Sequence, residues 1–151
     1  MIRVLVVEDS PTARALLVAA LSRDPEIRVV GEATNGAEGV ALAKTLSPDV
    51  ISMDVELPGI DGYEATRMIM SEAPVPVVIV TSLDVRDVER SMRALQIGAV
   101  ALMPKPPPPA SPSFDRACRE LCETMKAMAE VKVVRRAGFE AAGVPDPTRY
   151  A

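Results

Sequence analysis

Apolar and polar stretches alternate along the chain with a regular rhythm. Five short runs rich in Val, Ile and Leu are each bounded by turn-forming residues, a pattern typical of strands buried on both faces of a sheet. These runs lie at residues 2–8, 27–33, 49–55, 76–82 and 98–104. Between them, apolar residues recur every three or four positions, and this spacing predicts amphipathic helices.

Capping and turn residues mark where the helices begin. Ser10 and Pro11 supply a capping hydroxyl and a proline at the first helical position. Asn35-Gly36 introduces a second helix, and a third is expected from about Tyr63 to Glu72. Helical spacing predicts a fourth helix through Val85, Val88, Met92 and Leu95, and a fifth through Phe114, Cys118, Leu121, Cys122, Met125 and Met128. The methionines, Met92 among them, are expected to fill the core.

Strict alternation of strands and helices predicts a parallel α/β sheet with right-handed crossovers. Five such units fit a flavodoxin-like, doubly wound sheet of five strands in the order 2-1-3-4-5, with helices on both faces. Pro104 suits an edge strand. We expect one domain at residues 1–132, followed at 133–151 by a tail or truncated interdomain linker, where the periodicity is lost and Gly and Pro appear.

Charge and composition narrow the function. A net charge of −4 and a pI near 4.9 argue against a general binder of nucleic acid or of anionic membranes. The N-terminus does not resemble a secretory signal, and no apolar run reaches the roughly 18 residues of a membrane span, so we expect a cytoplasmic protein. The chain has no histidine, which excludes histidine-dependent nucleophilic catalysis. Cys118 and Cys122 then lack the usual partners for zinc, and are expected to be free core thiols, or less readily a redox pair.

Polar residues with chemical potential stand where the predicted strands end. Asp54 closes a run that otherwise belongs to a sheet interior. Glu8-Asp9 follow the first strand, Thr81 ends the fourth, and Lys105 follows the fifth. In the order 2-1-3-4-5 these four strands are neighbours, so their carboxyl ends bring three carboxylates, a hydroxyl and a lysine to one crevice.

The charges of this crevice indicate what it binds. Two carboxylates about 4 Å apart repel by roughly 4 kcal/mol at an effective dielectric near 20, so the group needs positive charge. Lys105 supplies part of it, and a hard divalent cation, for which we expect Mg²⁺, supplies more. An ionised aspartate beside Mg²⁺, a lysine and a hydroxyl suits covalent phosphoryl transfer with the carboxylate as nucleophile.

Four segments carry a resemblance to a known family: VLVVEDSPTARALL, ISMDVELPGIDGYEATR, VVIVTS and IGAVALMPKP. In this order and spacing they resemble the receiver domain of bacterial two-component response regulators. Within that family the chain is most similar to the receiver half of chemotaxis protein-glutamate methylesterases. The esterase half, which needs a histidine, is absent from this chain.

The resemblance implies a role for each matching position. Asp54 would accept a phosphoryl group from the phosphohistidine of a sensor kinase. Glu8, Asp9 and Asp54 would hold Mg²⁺ together with the backbone carbonyl of Glu56. Thr81 and Lys105 would contact the phosphoryl group and drive the switch. The Lys105-Pro106 peptide bond would be cis, as is usual in the family.

The resemblance also implies the partners: a histidine kinase, and a C-terminal methylesterase domain or another effector. Leu102 departs from the family, which usually has Phe or Tyr there, so a receiver that only docks without being phosphorylated is the alternative. A phosphatase of the haloacid dehalogenase type, with Asp54 as nucleophile, is a further alternative. Its nucleophile belongs on the first strand, which disfavours it here.

Overall fold

The computed structural model describes residues 1–82 and 88–135. Strands and helices alternate strictly within these residues, as the sequence pattern predicts. The strands are β1 (Ile2–Val7), β2 (Ile27–Ala33), β3 (Val50–Met53), β4 (Val77–Thr81) and β5 (Ala101–Pro104). The helices are α1 (Pro11–Ser22), α2 (Gly36–Leu46), α3 (Gly62–Glu72), α4 (Val88–Gln96) and α5 (Phe114–Met128).

The strands of the described residues form one parallel sheet in the order β2-β1-β3-β4-β5. This confirms the predicted flavodoxin-like topology. The register pairs Val7 with Met53 and Thr81 with Pro104, so the four strands that carry the candidate site end at nearly the same level. Pro104 lies on an edge strand, where its missing N–H costs no ladder hydrogen bond.

Alternate residues of each strand point into two separate cores. Leu5, Ile51 and Ile79 face α2, α3 and α4, whereas Val4, Val50 and Val78 face α1 and α5. Because both faces are covered, the central strands β1, β3 and β4 are apolar at nearly every position, whereas β2 at the edge carries the exposed Arg28 and Glu32. Both cysteines are free thiols and lie buried in the α1–α5 core, as expected.

Local capping sets three of the helix starts. Ser10 Oγ accepts a hydrogen bond from Ala13 N, so Ser10 and not Asp9 caps α1. Asn35 caps α2 in the same way, and Asp61 caps α3 by accepting from Glu64 N at 2.8 Å. Because Ser10 caps α1, the exposed Asp9 side chain is not needed as a helix cap.

Two expectations need correction: where β3 ends, and which side chains of α4 are buried. β3 ends at Met53 rather than at residue 55, because from Asp54 onward the chain leaves the ladder and turns into the β3–α3 loop. Met92 and Leu95 were expected to face the core, but they are 54% and 59% exposed. Ala94 of α4 and Ile97 just after the helix are buried instead, which leaves Met92 and Leu95 as apolar side chains on the outer surface of α4. Residues 83–87, including Val85, lie outside the described part of the chain.

The chain beyond α5 crosses to the other face of the sheet. Val133 packs against the α2–α4 core, and the Arg135 guanidinium donates to the Glu72 carbonyl at the end of α3. Residues 136–151 lie outside the description. Among the described residues, no helix has the length and apolarity that a membrane crossing requires.

Candidate functional site

Glu8 and Asp9 lie at the carboxyl end of β1. Glu8 N donates to the Ala33 carbonyl, which extends the pairing of β1 with β2 by one residue. The Glu8 side chain is fully buried, and its Oε2 accepts a hydrogen bond from Ser10 N at 3.1 Å. The Asp9 side chain is exposed. One carboxylate is therefore fixed inside the site, and the other lies at its solvent boundary.

Asp54 begins the loop that follows β3. Its backbone N–H donates to the Val7 carbonyl, which ties the residue to the end of β1. Only 3% of Asp54 is exposed, and its Oδ1 accepts a long hydrogen bond of 3.4 Å from Glu56 N. The Glu56 side chain points to solvent. The proposed use of the Glu56 carbonyl as a ligand stays a prediction.

Lys105 joins the carboxylates of two strands. Its Nζ lies 2.6 Å from Glu8 Oε1 and 3.2 Å from Asp54 Oδ2. Its backbone N–H donates to the Thr81 carbonyl, so the end of β4 positions the lysine. The Thr81 residue itself is 2% exposed and ends β4, the strand next to β3. The structure therefore gathers Glu8, Asp54, Thr81 and Lys105 at one edge, as the sequence predicts.

The electrostatics of the site follow from burial. Burial raises the pKa of the Glu8 carboxyl above its ordinary value, although the contact with Lys105 opposes this rise. Burial also pushes the pKa of Lys105 downward, but the nearby Glu8 and Asp54 outweigh it, and the pKa is raised overall. Lys105 is therefore held in its charged form, and it is one cation among three carboxylates.

The acidic group fits the predicted Mg²⁺. One ligand atom each from Glu8, Asp9 and Asp54 lies within 4.8 Å of the others. Glu8 Oε1 is buried and, beyond its ion pair with Lys105, makes no hydrogen bond of regular geometry to a described group. Lys105 offsets only part of the charge of the three carboxylates, and carboxylate oxygens are the ligands that Mg²⁺ prefers.

Two supporting residues escaped the sequence analysis. A β-carbon on Gly62 would lie 1.9 Å from the Asp54 carbonyl oxygen, so this glycine permits the backbone to pass directly behind Asp54. In the sequence, Asp61-Gly62 has only the pattern of a turn and a helix start. Arg14 donates to the Glu8 carbonyl. Neither contact has a local sequence signal, because each depends on how separate segments approach.

One expectation from the family resemblance is wrong for this structure. Among the described residues no peptide bond is cis, so Lys105-Pro106 is trans. The trans form is the intrinsically favoured one even before proline, by about 0.5–1 kcal/mol. Leu102, in the position of the usual aromatic residue, is partly buried against the α2–α4 core.

A family comparison decides what kind of domain this is. Residues 4–111 match the model of the response regulator receiver domain. The chain belongs to this receiver family. The resemblance predicted from sequence is thus confirmed, and the fold and the acidic edge of the sheet agree with it.

Similar proteins place this receiver domain near chemotaxis methylesterases. It is 55% identical over 147 residues to protein-glutamate methylesterase/protein-glutamine glutaminase 3 of Anaeromyxobacter dehalogenans, covering 97% of this chain and 43% of that protein. Protein-glutamate methylesterase/protein-glutamine glutaminase 4 of Myxococcus xanthus is 56% identical over 135 residues, covering 89% of this chain and 38% of that protein. The chain thus spans about two fifths of the length of these relatives.

Solved structures agree with this grouping. The response regulator domain of Thermotoga maritima CheB is 39% identical with a TM-score of 0.79, covering 87% of this chain and 98% of that one. A chain in the complex of the CheA3 P1 domain with CheY6 from R. sphaeroides is 26% identical with a TM-score of 0.71, covering 86% and 98%. Both support the receiver fold.

Proposed function

We propose that this receiver domain is a phosphoacceptor switch in which Asp54 takes a phosphoryl group from the phosphohistidine of a sensor histidine kinase. The observation that carries this proposal is the contact of Lys105 with both Glu8 and Asp54, with Asp9 completing the acidic group. A buried carboxylate beside a fixed cation and a neighbouring hydroxyl is suited to act as a nucleophile in phosphoryl transfer.

The step exchanges one phosphorus bond for another. An Asp54 carboxylate oxygen attacks phosphorus, and the P–N bond to the kinase imidazole breaks with its electron pair left on nitrogen. Lys105 lies where it can pair with the phosphoryl oxygens as their charge develops. When bound by Glu8, Asp9, Asp54 and the Glu56 carbonyl, Mg²⁺ would neutralise further charge on those oxygens. Slow attack by water on phosphorus would break the bond to the Asp54 oxygen, release inorganic phosphate and return the carboxylate.

The output follows from a change in the partners of Lys105 and Thr81. In the unphosphorylated domain Lys105 forms ion pairs with Glu8 and Asp54. A phosphoryl group offers both residues stronger, charge-assisted contacts, so the carboxyl end of β4 would shift. The outer surface of α4, with Met92 and Leu95 exposed, would transmit that shift to another protein surface.

We infer that this surface serves a chemotaxis effector. The methylesterase relatives are more than twice as long as this chain, which aligns with about two fifths of each of them. A C-terminal methylesterase domain, joined through residues 133–151, is the effector that this similarity favours. The P1 domain seen with CheY6 in a related structure supports a chemotaxis kinase as the phosphoryl donor.

Leu102 favours a second candidate function, that of a docking domain. An aliphatic side chain cannot make the inward turn of the usual aromatic residue, which favours a receiver that docks without phosphorylation. The phosphatase alternative finds less support. Its nucleophile would belong on the first strand, whereas Asp54 follows β3 and the acidic pair follows β1.

The test is intact-protein mass after brief incubation with acetyl phosphate, in Mg²⁺ and in EDTA. We expect one added phosphoryl group that requires both Mg²⁺ and Asp54. Asp54→Asn should remain unlabelled, whereas Asp61→Asn should label normally, since asparagine still caps α3. No adduct on a folded, Mg²⁺-binding protein would favour docking alone. Steady turnover of a phosphomonoester would favour the phosphatase.

A further inference from the structure

Arg14 makes two contacts that converge on the end of β1. Its Nη1 donates to the Glu8 carbonyl oxygen at 3.0 Å, and its Nε lies 3.3 Å from Glu32 Oε1 at the end of β2. The Arg14 side chain is only 20% exposed, which shows that it lies along the protein and not in solvent. One guanidinium thus links the edge strand of the sheet to the loop that carries the acidic pair.

The position of Arg14 on its helix needs an explanation. α1 begins at Pro11, so Arg14 lies in the first turn, where the helix dipole disfavours a positive charge. A planar guanidinium can donate to two acceptors in fixed directions, which an ammonium group cannot do. The two contacts offset the unfavourable location, and they indicate that geometry, rather than charge, is what Arg14 contributes.

Every polar group of Glu8 is held from a different direction. Its N–H donates to Ala33, its Oε2 accepts from Ser10, and its Oε1 pairs with Lys105. Arg14 holds the remaining group, the carbonyl oxygen. That carbonyl belongs to the peptide unit between Glu8 and Asp9, so its direction sets where the exposed Asp9 side chain begins.

We propose that Arg14 is a positioning residue for the acidic pair. By fixing the Glu8–Asp9 peptide plane, with Glu32 as its own anchor, it keeps both carboxylates converged on one cation. The inference rests on the proposed function, because convergence matters only if the group holds Mg²⁺. Residues that orient metal ligands in this indirect way typically change affinity by about 10–100-fold when removed.

A direct binding measurement separates positioning from charge. Mg²⁺ affinity is measured by calorimetry for the full chain and for Arg14→Met, Arg14→Lys and Glu32→Gln, with folding checked by circular dichroism. Positioning predicts that Arg14→Met weakens Mg²⁺ binding about tenfold. If Arg14 acted through charge alone, its removal would tighten binding, because a cation near the site repels Mg²⁺. Arg14→Lys should restore little, and Glu32→Gln should weaken binding to a smaller extent.

The control is Arg28→Met, which removes an arginine near the start of β2, the opposite end from Glu32. It should leave Mg²⁺ affinity within twofold of wild type. Unchanged or tighter Mg²⁺ binding by Arg14→Met would overturn the inference. If Arg14→Met does not fold, unchanged Mg²⁺ binding by both Arg14→Lys and Glu32→Gln would overturn it. Failure of the wild-type chain to bind Mg²⁺ would instead count against the proposed function itself.

Discussion

Lys105 Nζ lies 3.2 Å from Asp54 Oδ2, although 51 residues separate the two in sequence. The same nitrogen contacts Glu8 Oε1, so a single ammonium group bridges the ends of β1 and β3. Both carboxylates are almost completely buried. The unphosphorylated site is therefore an ion-pair network that a phosphoryl group on Asp54 would have to rearrange.

Loss of the bridging lysine should destabilise the domain in the absence of Mg²⁺. Lys105→Met leaves the buried Glu8 carboxylate without a cation, and removing one partner of a buried pair costs about 3–5 kcal/mol in full burial. Because Lys105 is 20% exposed, we expect a smaller cost, about 2 kcal/mol. Urea unfolding measures it, and saturating Mg²⁺ should recover part of the loss.

Lys126→Met is the matched control for this prediction. Lys126 also pairs with two carboxylates, Asp24 and Glu26, but Lys126 itself is 30% exposed and Glu26 is 70% exposed. Its removal should cost clearly less than the removal of Lys105, because ion pairs in contact with solvent contribute little to stability. Equal losses for the two variants, or no recovery with Mg²⁺, would contradict a cation-dependent site.

Thr81 should be needed for the response to phosphorylation more than for phosphoryl uptake. We expect Thr81→Ala to be labelled by acetyl phosphate within a few-fold of wild type, because the nucleophile and its charged neighbours remain. The change that labelling produces in the Met92 methyl NMR signal, on the outer surface of α4, should be strongly reduced. Met125 of α5 is buried in the core on the α1–α5 side of the sheet, and its methyl signal gives an internal reference. An unchanged Met92 response in the variant would refute the role assigned to Thr81.

Gly62 should tolerate no side chain. In Gly62→Ala the new β-carbon would meet the Asp54 carbonyl oxygen at 1.9 Å and its carbon at 2.7 Å, and both atoms belong to the backbone. The β3–α3 loop would have to move, at a cost of about 1–3 kcal/mol, and phosphoryl labelling of Asp54 should fall. Thermal unfolding and mass spectrometry measure the two effects.

Gly59→Ala separates steric conflict from backbone strain in the same loop. Gly59 has φ +76°, but a β-carbon there would meet no atom within 4 Å. Its substitution should cost about 1 kcal/mol through strain alone and leave labelling intact. If Gly62→Ala proved no more harmful than Gly59→Ala, the close approach behind Asp54 would not matter.

Cys122 should make the domain sensitive to alkali. Burial, followed by the charge of Asp24, raises the pKa of the Cys122 thiol from 9.0 to about 11. Below pH 9 the thiol is protonated in both folded and unfolded chains, so stability is unaffected. As the pH rises from 9 toward 11 the unfolded chain ionises first, and stability falls by about 1 kcal/mol at pH 10.

Cys122→Ser isolates this effect. Its hydroxyl can still donate to the Ala20 carbonyl, which accepts from the Cys122 thiol. Comparing the two proteins by urea unfolding at each pH cancels the other groups that titrate in this range. The difference between them should shrink as the pH rises from 9 to 10; a constant difference would mean that the folded state does not suppress ionisation of Cys122.

Much of the fold is encoded in local patterns that a reader of the sequence can use. The β2 bounds coincide with the prediction, because Ile27 and Ala33 are the buried ends of a run enclosed by turn residues, although Arg28 and Glu32 within it are exposed. The strand order then brings Glu8, Asp54 and Lys105 together without further information, since a parallel sheet aligns the carboxyl ends of its strands.

Other features depend on contacts that no local pattern contains. The spacing of Met92 and Leu95 predicts a helix correctly but not which side of it faces the sheet, and the small Ala94 occupies the buried side. Arg14 has the appearance of an ordinary helix residue until the Glu8 carbonyl and Glu32 are placed beside it. In both cases the packing of distant segments decides the outcome.

The central claim is that Asp54 carries the phosphoryl group. The most direct test is to label the protein with acetyl phosphate and Mg²⁺, reduce the acyl phosphate with borohydride, and locate the resulting homoserine by peptide mass spectrometry. The account predicts homoserine at position 54, dependent on Mg²⁺ and absent when label is omitted. Homoserine at Asp9 or Asp61 instead, or at none of the acidic positions of a folded protein, would contradict it.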